Sequence, residues 1–542
     1  MSAITNPTTK ATPDTTAAPT AGAMPNTMAS PAAPATTAVA QAPIAPASSP
    51  PAQSGPRRAP RRWLMRPWVW ALALAVPLAL AYLLVAPPAA DLSAAIYRSD
   101  LFARVGYTVR DNGWYAAHGH YLLGYSLLSP ALGALLGVRL LLAISTLVST
   151  ALFGLIAERA FGPAAGRVAA LVFALGACAE MLSGRVPYDL GMAIGLGAAL
   201  AAMCARWRLA VGLALLTSAA SPVAGAFLAL VFLAWALSVW PERSAGEAER
   251  SHAPVSSDEA GGPRAHARTR AWVPASGHRW AWPLALMIAA LAPIAVLSLA
   301  FPEGGYEPFA PSSFWPAFAG VLAIAVLLPA GPLSGRAQRT VRVGAALYAL
   351  ALAASFAIAS PMGGNAARLG PELAPALLVG VLWNDRRLVL FLLAPVLLYW
   401  QLNTPIGDLS LVAGQASAEP SYYAPLVSEL GRLRHGSRTI VEIPLTATHA
   451  EAAYVAGHDQ IALARGWDRQ LDTRYAALFY RPGLTASAYR AWLAENRVRY
   501  VALPDARLDY AGKAEGALVA HGLPYLREIW RSRHWRLFRV MS

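Results

Sequence analysis

The chain has 542 residues, of which 56% are hydrophobic and 13% charged, with a formal net charge of +15. Soluble proteins carry about 25% charged residues, so lipid must be the main solvent here. The basic balance does not point to nucleic acid, because the arginines fall in short clusters between apolar runs instead of along one stripe. Lysine occurs only at Lys10 and Lys513, an arginine bias that fits a GC-rich bacterial genome. Cys178 and Cys204 are the only cysteines, which excludes a disulfide framework or a zinc-type spacing.

Residues 1–60 are almost wholly Ala, Pro, Thr and Ser without hydrophobic periodicity, so they are expected to be disordered. A multispan membrane part follows over 61–402. A helical span needs roughly 17–25 apolar residues. Candidates in chain order are 68–85, 140–156, 164–182, 186–204, 209–219, 222–240, 281–301, 314–330, 343–360, 373–383 and 388–402, with 209–219 and 373–383 short for a full crossing. The stretch Tyr121 to Leu136 is ambiguous. Arginine in short loops stays cytoplasmic. If Tyr121–Leu136 dips in and returns, every alternate loop is basic: Arg57–Arg66, Arg159 and Arg167, Arg206 and Arg208, the loop 241–280, Arg336–Arg342, and Arg386 with Arg387. The expected topology is therefore about eleven spans, with the N-terminus cytoplasmic and everything after Leu402 outside a bacterial plasma membrane.

The outer face then carries the long loop 87–120, the turns near Ser183 and Ser221, the 301–313 loop and PMGGNAARLGP (Pro361–Pro371). Within the first of these, DLSAAIYRSDLFARVG (Asp91–Gly106) has helical periodicity and reads as a surface helix. On a helical wheel Asp91 and Arg98 project within about 20° of each other, while Asp100 and Arg104 share the opposite side. Asp91 ranks first as a site residue because the chain leaves the membrane there; solvated or paired surface charges are the plainer alternative. His118 and His120 would hold a metal only with a third ligand, which the sequence does not supply, so no metal is assigned. Trp114, Tyr115, Tyr121 and Tyr125 read as interfacial anchors.

In SGRVPYDLG, Arg185 and Asp189 sit at the outer ends of two spans. They are either site residues facing a wet cavity or a mutual ion pair that fixes the turn. In PMGGNAARLGP, Asn365 and Arg368 beside flexible glycines could cradle a phosphate, or the segment is a simple turn. From about Ala418 the composition becomes that of a soluble protein. Residues 438–445, 498–503 and 535–540 read as strands, and 485–496, opened by Thr485, and 512–521 as helices. A small extracytoplasmic α/β domain over 418–542 is the natural assembly. Its densest polar stretch, RGWDRQLDTRY, would either stack a sugar on Trp467 or form a salt-bridged surface. No GxSxG, HExxH, Walker loop or CxxC occurs.

An acid directly after the first span, a long outer loop with a surface helix, many further spans and an external soluble domain resemble the GT-C superfamily of polyprenyl-phosphate-sugar-dependent glycosyltransferases. The stretch DLSAAIYRSDLF…NGWY…GYSLLSP also resembles an actinobacterial group of 6-pyruvoyl-tetrahydropterin-synthase-related membrane proteins. The resemblance implies a GT-C-like α-helical membrane fold and inverting transfer of a sugar to a cell-envelope glycan or protein. Asp91 would be the general base, and Arg185, Arg368 and Arg98 would hold the lipid phosphate. Asp100, Asp189 and Asn365 complete the expected substrate contacts. Asp91 has no adjacent second acid, a departure from the commonest pattern of that superfamily, and no cofactor is assigned. The competing readings are a transporter or flippase of a lipid or envelope precursor, and a non-catalytic envelope scaffold.

Overall fold

In lipid an apolar stretch must satisfy its own backbone, and the helix is the way a single segment does so. The computed structural model describes residues 66–239, 280–302, 304–328, 335–434, 436–458, 460–466 and 468–541. The tail 1–60, the loop 241–279 and Trp467 lie outside the described residues. Helix α1 (Pro67–Val85) opens on a proline whose missing N–H is no loss in a first turn. Helices α2 (Leu92–Val105) and α3 (Ser129–Leu136) follow, then α4 (Val138–Glu180), α5 (Val186–Met203), α6 (Trp207–Ala220) and α7 (Pro222–Val239). After the undescribed loop come α8 (Ala281–Ala300), α9 (Pro311–Leu327), α10 (Gly335–Ala357), α11 (Leu369–Leu382) and α12 (Arg387–Val412).

Among the described residues seven helices are long and apolar enough to cross a membrane. One of them, α4, is two spans joined at a kink, where Gly162 has φ 77° and Pro163 follows. With α4 resolved into two, and with the shorter α6, α9 and α11 added, every apolar stretch read from the sequence is a helix. This is an α-helical polytopic membrane protein. Small residues set its packing: Ala71, Ala75 and Ala79, four apart on α1, are buried against α4 and share its core with Phe153 and Phe173. Such a stripe lets helix backbones approach closely in lipid.

Tyr121–Leu136 does not cross. Tyr121 ends the two-residue strand β2 (His120–Tyr121), which pairs with β1 (Arg110–Asp111), and α3 has only eight residues, about 12 Å of helix against a hydrocarbon core of about 30 Å. Consequently the chain after α1, the α4–α5 turn, the α8–α9 loop and the end of α12 meet at one end of the bundle.

Over that end lies a five-stranded sheet in the order β4–β3–β5–β7–β6. Strands β3 (Thr439–Glu442), β4 (Ile461–Leu463) and β5 (Tyr500–Pro504) are parallel; β6 (Leu526–Arg531) and β7 (Trp535–Val540) add antiparallel. Side chains alternate between two covered faces, as a pleated strand requires. Val441, Tyr500, Ala502 and Leu537 pack toward α13 (Pro420–Leu433). Ile440, Val501, Leu503 and Phe538 pack toward α14 (Ala486–Glu495) and α15 (Lys513–His521). Thr485 caps α14, its hydroxyl accepting the Ala488 N–H at 3.2 Å. Inside, Arg465 (1% exposed) bridges Glu442 at 3.0 Å and Glu515 at 2.5 Å over the Phe479 ring.

Two sequence expectations change here. Helix α2 is not a free surface helix. Leu92 and Ala95 belong to the bundle core, and Ala94 and Tyr97 to the core of the α/β part, so α2 is sandwiched between the two. Trp114 and Tyr115 are not interfacial anchors either. Trp114 is fully buried, donates its indole N–H to the Ala452 carbonyl at 3.1 Å and stacks on Tyr97. Tyr115 donates to the Gly466 and Asp468 carbonyls. Both polar tips find protein partners, so no headgroup region is needed to satisfy them.

Candidate active site

Asp91 precedes the first turn of α2, Glu180 ends α4, Arg185 stands just before α5, and Asp408 lies in the last turns of α12. The planar guanidinium of Arg185 is what joins these four elements. Its Nε donates to Asp91 at 2.9 Å, Nη1 to Glu180 at 2.6 Å and Nη2 to Asp408 at 2.8 Å. Ser183 also donates to Asp408, at 2.8 Å. One cation therefore faces three carboxylates, and every nitrogen of its fork is used. The Arg185–Asp189 pair that the turn suggested does not form.

Above this cluster, between the bundle and the α/β part, is a polar chamber of about 480 Å³. Asp91, Arg98, Arg185, Asn365 and Arg368, five of the residues singled out in the sequence, line it together. Arg98 is 4% exposed, pairs with Asp468 at 3.3 Å and lies 3.6 Å from the Tyr125 ring centre, with Nε and Nη1 lacking partners. Arg368 rests against Tyr188, 5.8 Å from its ring centre, and among the described residues its side chain has no ion pair or hydrogen bond. Asp100 is exposed on the far side of α2, near Arg104, and is not part of the wall. Asp189 is 4% exposed, buried in α5 with Oδ2 unpartnered, and lines neither this chamber nor the groove below. His118 and His120 diverge: His120 is buried against Trp114, while His118 meets the Tyr475 hydroxyl. No group of residues suited to a metal occurs among the described residues.

The opposite wall comes from residues that sequence reasoning did not assign to the site, although Asp468 and Arg469 lie in the polar stretch RGWDRQLDTRY. His449 and Asp509 (3.6 Å apart), Asp468, Arg469 and Tyr510 descend from the α/β part, and Glu307 rises from the α8–α9 loop. Burial draws the His449 imidazole down, but the Asp509 hydrogen bond and charge outweigh it and hold it above its usual range. Glu307 is pushed up to about 7, first by burial and then by the negative Asp468, against the pull of Arg469 and Arg368. Asp408 carried a readable signal: the run Asn403–Thr404–Pro405 looks like the end of a span, yet the helix continues through it to Val412. In the α/β part Asp468 and Arg469 carried one, as members of the densest polar stretch, whereas His449, Asp509 and Tyr510 carried none.

A second cavity, about 720 Å³, opens between α9 and α12. Its walls are apolar, with Pro316, Gly320 and Ala323 facing Leu393, Val396 and Trp400. Arg185, Glu307, Asn365 and Arg368 line both cavities, so the apolar groove runs into the polar chamber at a junction that holds two arginines and a glutamate.

No protein-family model matches the sequence, and comparison with curated proteins finds no relative. Among solved structures, ArnT from Cupriavidus metallidurans bound to undecaprenyl phosphate aligns over 89% of this chain and 98% of its own, at 13% identity and TM-score 0.43. The Archaeoglobus fulgidus oligosaccharyltransferase tethered to an acceptor peptide with the NVT sequon aligns over 82% and 69%, at 12% identity and TM-score 0.37.

Proposed function

We propose that the chain is a membrane-embedded glycosyltransferase that moves a sugar from a polyprenyl-phosphate donor to a cell-envelope acceptor. The observation that carries this reading is the junction of the two cavities. A long apolar groove ends at Arg368, a cation whose side chain makes no hydrogen bond or close ion pair among the described residues, and beyond it lies a chamber walled by carboxylates and aromatic rings. That sequence of environments suits a molecule with an isoprenoid tail, a phosphate and a polar head, in that order.

In this reading the tail lies between α9 and α12, and Arg368 and Asn365 hold the phosphate, with Arg185 beside them. The sugar projects into the chamber. The acceptor oxygen attacks the anomeric carbon from the Asp91 side, the carbon–oxygen bond to phosphate breaks with inversion, and the acceptor proton passes to Asp91. A positioned base of this kind supplies about 10²- to 10⁴-fold. Arg368 neutralises charge gathering on the departing phosphate. Arg185 keeps the Asp91 carboxylate aimed along the chamber wall. The arginine distribution supports an extracytoplasmic chamber with a cytoplasmic N-terminus, where a lipid-linked donor requires no nucleotide sugar.

The test is Asp91→Asn in membranes supplied with labelled polyprenyl-phosphate sugar. Transfer should vanish while the amount of folded protein stays constant; retained transfer removes Asp91 from the chemistry. A reporter fused after Ser542 should be active only outside the cytoplasm.

A further inference from the structure

Resting on that reading, we infer that Glu307 is a further catalytic residue, whose carboxylic acid gives a proton to the departing lipid phosphate. Its place separates it from Asp91. Asp91 lines the chamber but not the groove, whereas Glu307 lines both, at the junction with Arg368 and Asn365, where a phosphate between tail and head must sit.

The backbone holds the group there. Glu307 N–H donates to the Ser360 carbonyl at 3.0 Å, and Gly364 N–H to the Pro308 carbonyl at 3.3 Å, so the loop of Asn365 and Arg368 is tied to the loop of Glu307. Gly363, at φ 40°, packs so tightly on the Glu307 carbonyl that no side chain fits. The carboxyl itself has no hydrogen bond or ion pair among the described residues, although the backbone that carries it is fixed. The charged and titratable groups facing it are Asp468, Arg469 and Tyr510 from the α/β part, Arg368 from the tied loop and Asp91 from just before α2, while Arg185, Glu180 and Glu372 line the same groove.

Chemistry at the junction needs a neutral acid. An ordinary glutamate would be ionised near pH 7 and would repel a phosphate beside it. Burial and Asp468 lift Glu307 to about 7, so a substantial share is protonated at neutral pH. When the sugar–phosphate bond breaks, the leaving oxygen takes both electrons and the lipid phosphate gains a second negative charge. The Glu307 proton converts it to the monoanion, Glu307 is left as carboxylate, and solvent in the chamber reprotonates it. Asp91 releases the acceptor proton to the same solvent. The sum is acceptor alcohol plus glycosyl lipid phosphate giving glycoside plus lipid hydrogen phosphate.

The experiment uses the full chain in nanodiscs. Turnover is measured from pH 5.5 to 9 for wild type and Glu307→Gln, with undecaprenyl phosphate binding measured in parallel. Wild-type turnover should fall about tenfold per pH unit above about 7, because the acid form is lost. Glu307→Gln should be about 10²-fold slower with that alkaline limb gone, and its binding of undecaprenyl phosphate above pH 7 should be tighter than that of wild type. Turnover within threefold of wild type with the limb intact overturns the inference. So does loss of lipid binding by Glu307→Gln at every pH, which would make the carboxyl structural. Wild type that binds the lipid but transfers nothing overturns the transferase reading itself, and is told apart by that wild-type result alone.

Discussion

Replacing Arg185 with alanine should cost the fold more than any other single change at the chamber. The guanidinium is 14% exposed and makes three charge-assisted hydrogen bonds of 2.6–2.9 Å to side chains that are 14%, 27% and 33% exposed. Each such bond contributes about 1.5–3 kcal/mol when well shielded, and the partial exposure of Asp91 and Asp408 argues for the lower end. Removing the cation also leaves three carboxylates facing one another, and breaking a buried pair costs about 3–5 kcal/mol. The net expectation is therefore a loss of about 3–5 kcal/mol. Thermal unfolding of the purified protein in nanodiscs, read by intrinsic tryptophan fluorescence, gives the change in Tm. Glu180→Gln in the Arg185→Ala background should restore part of the loss, because one of the repelling charges is gone. Arg185→Lys should fall between wild type and alanine, since an ammonium cannot span the fork. An alanine variant with wild-type Tm, or a second substitution whose effect is simply additive, would refute the view that the guanidinium joins α2, α4, α5 and α12.

Arg368→Gln should leave Tm unchanged, because no protein carboxylate loses a partner, but should weaken undecaprenyl phosphate binding about 10- to 100-fold, the equivalent of one charge-assisted contact. Trp114→Ala should cost about 3–5 kcal/mol, the range for emptying a buried aromatic site, with greater protease sensitivity of the segment between α2 and α3 as the check. Arg465→Met should be strongly destabilising at pH 8, because Glu442 and Glu515 would be left buried without a cation. Glu442 is already held well above the usual carboxylate range by burial, so its protonated form is favoured by the fold. The Arg465→Met defect should therefore shrink as pH falls from 8 to 5; a Tm gap independent of pH would refute this.

The membrane helices were legible because lipid imposes one solution on each apolar run, so the eleven stretches needed only hydropathy and length. Arginine placement led to the reading of Tyr121–Leu136 as a stretch that dips in and returns, and its one helix, α3, is only eight residues long. The wheel placed Asp91 and Arg98 together and Asp100 apart, and the chamber wall follows it, because helical geometry is local. The pairing of Arg185 with Asp91, Glu180 and Asp408 was not legible. It joins residues up to 225 positions beyond Ser183 in one cluster, and no local pattern encodes which helices meet. Asp189 shows the reverse case: an acid near a span end invites a functional reading, but the turn of α5 carries it inward, away from both cavities. Strands β4 and β6 were missed because β4 has three residues and β6 (LREIWR) mixes charge with apolar groups. Glu307 and the His449–Asp509 pair were missed because their meaning depends on what stands opposite.

The hairpin between α2 and α3 has a consequence for anyone excising the C-terminal part. Gly113 and Ala116 exchange hydrogen bonds with both backbone groups of Leu463 on β4, at 2.8 and 3.0 Å, and the Trp114 indole fills the adjoining pocket. A fragment beginning near Ala418 would carry a bare strand margin next to an indole-shaped vacancy. Margins of that kind recruit other chains, so such a fragment should self-associate unless a peptide spanning Asp111 to Tyr121 is supplied to close the gap.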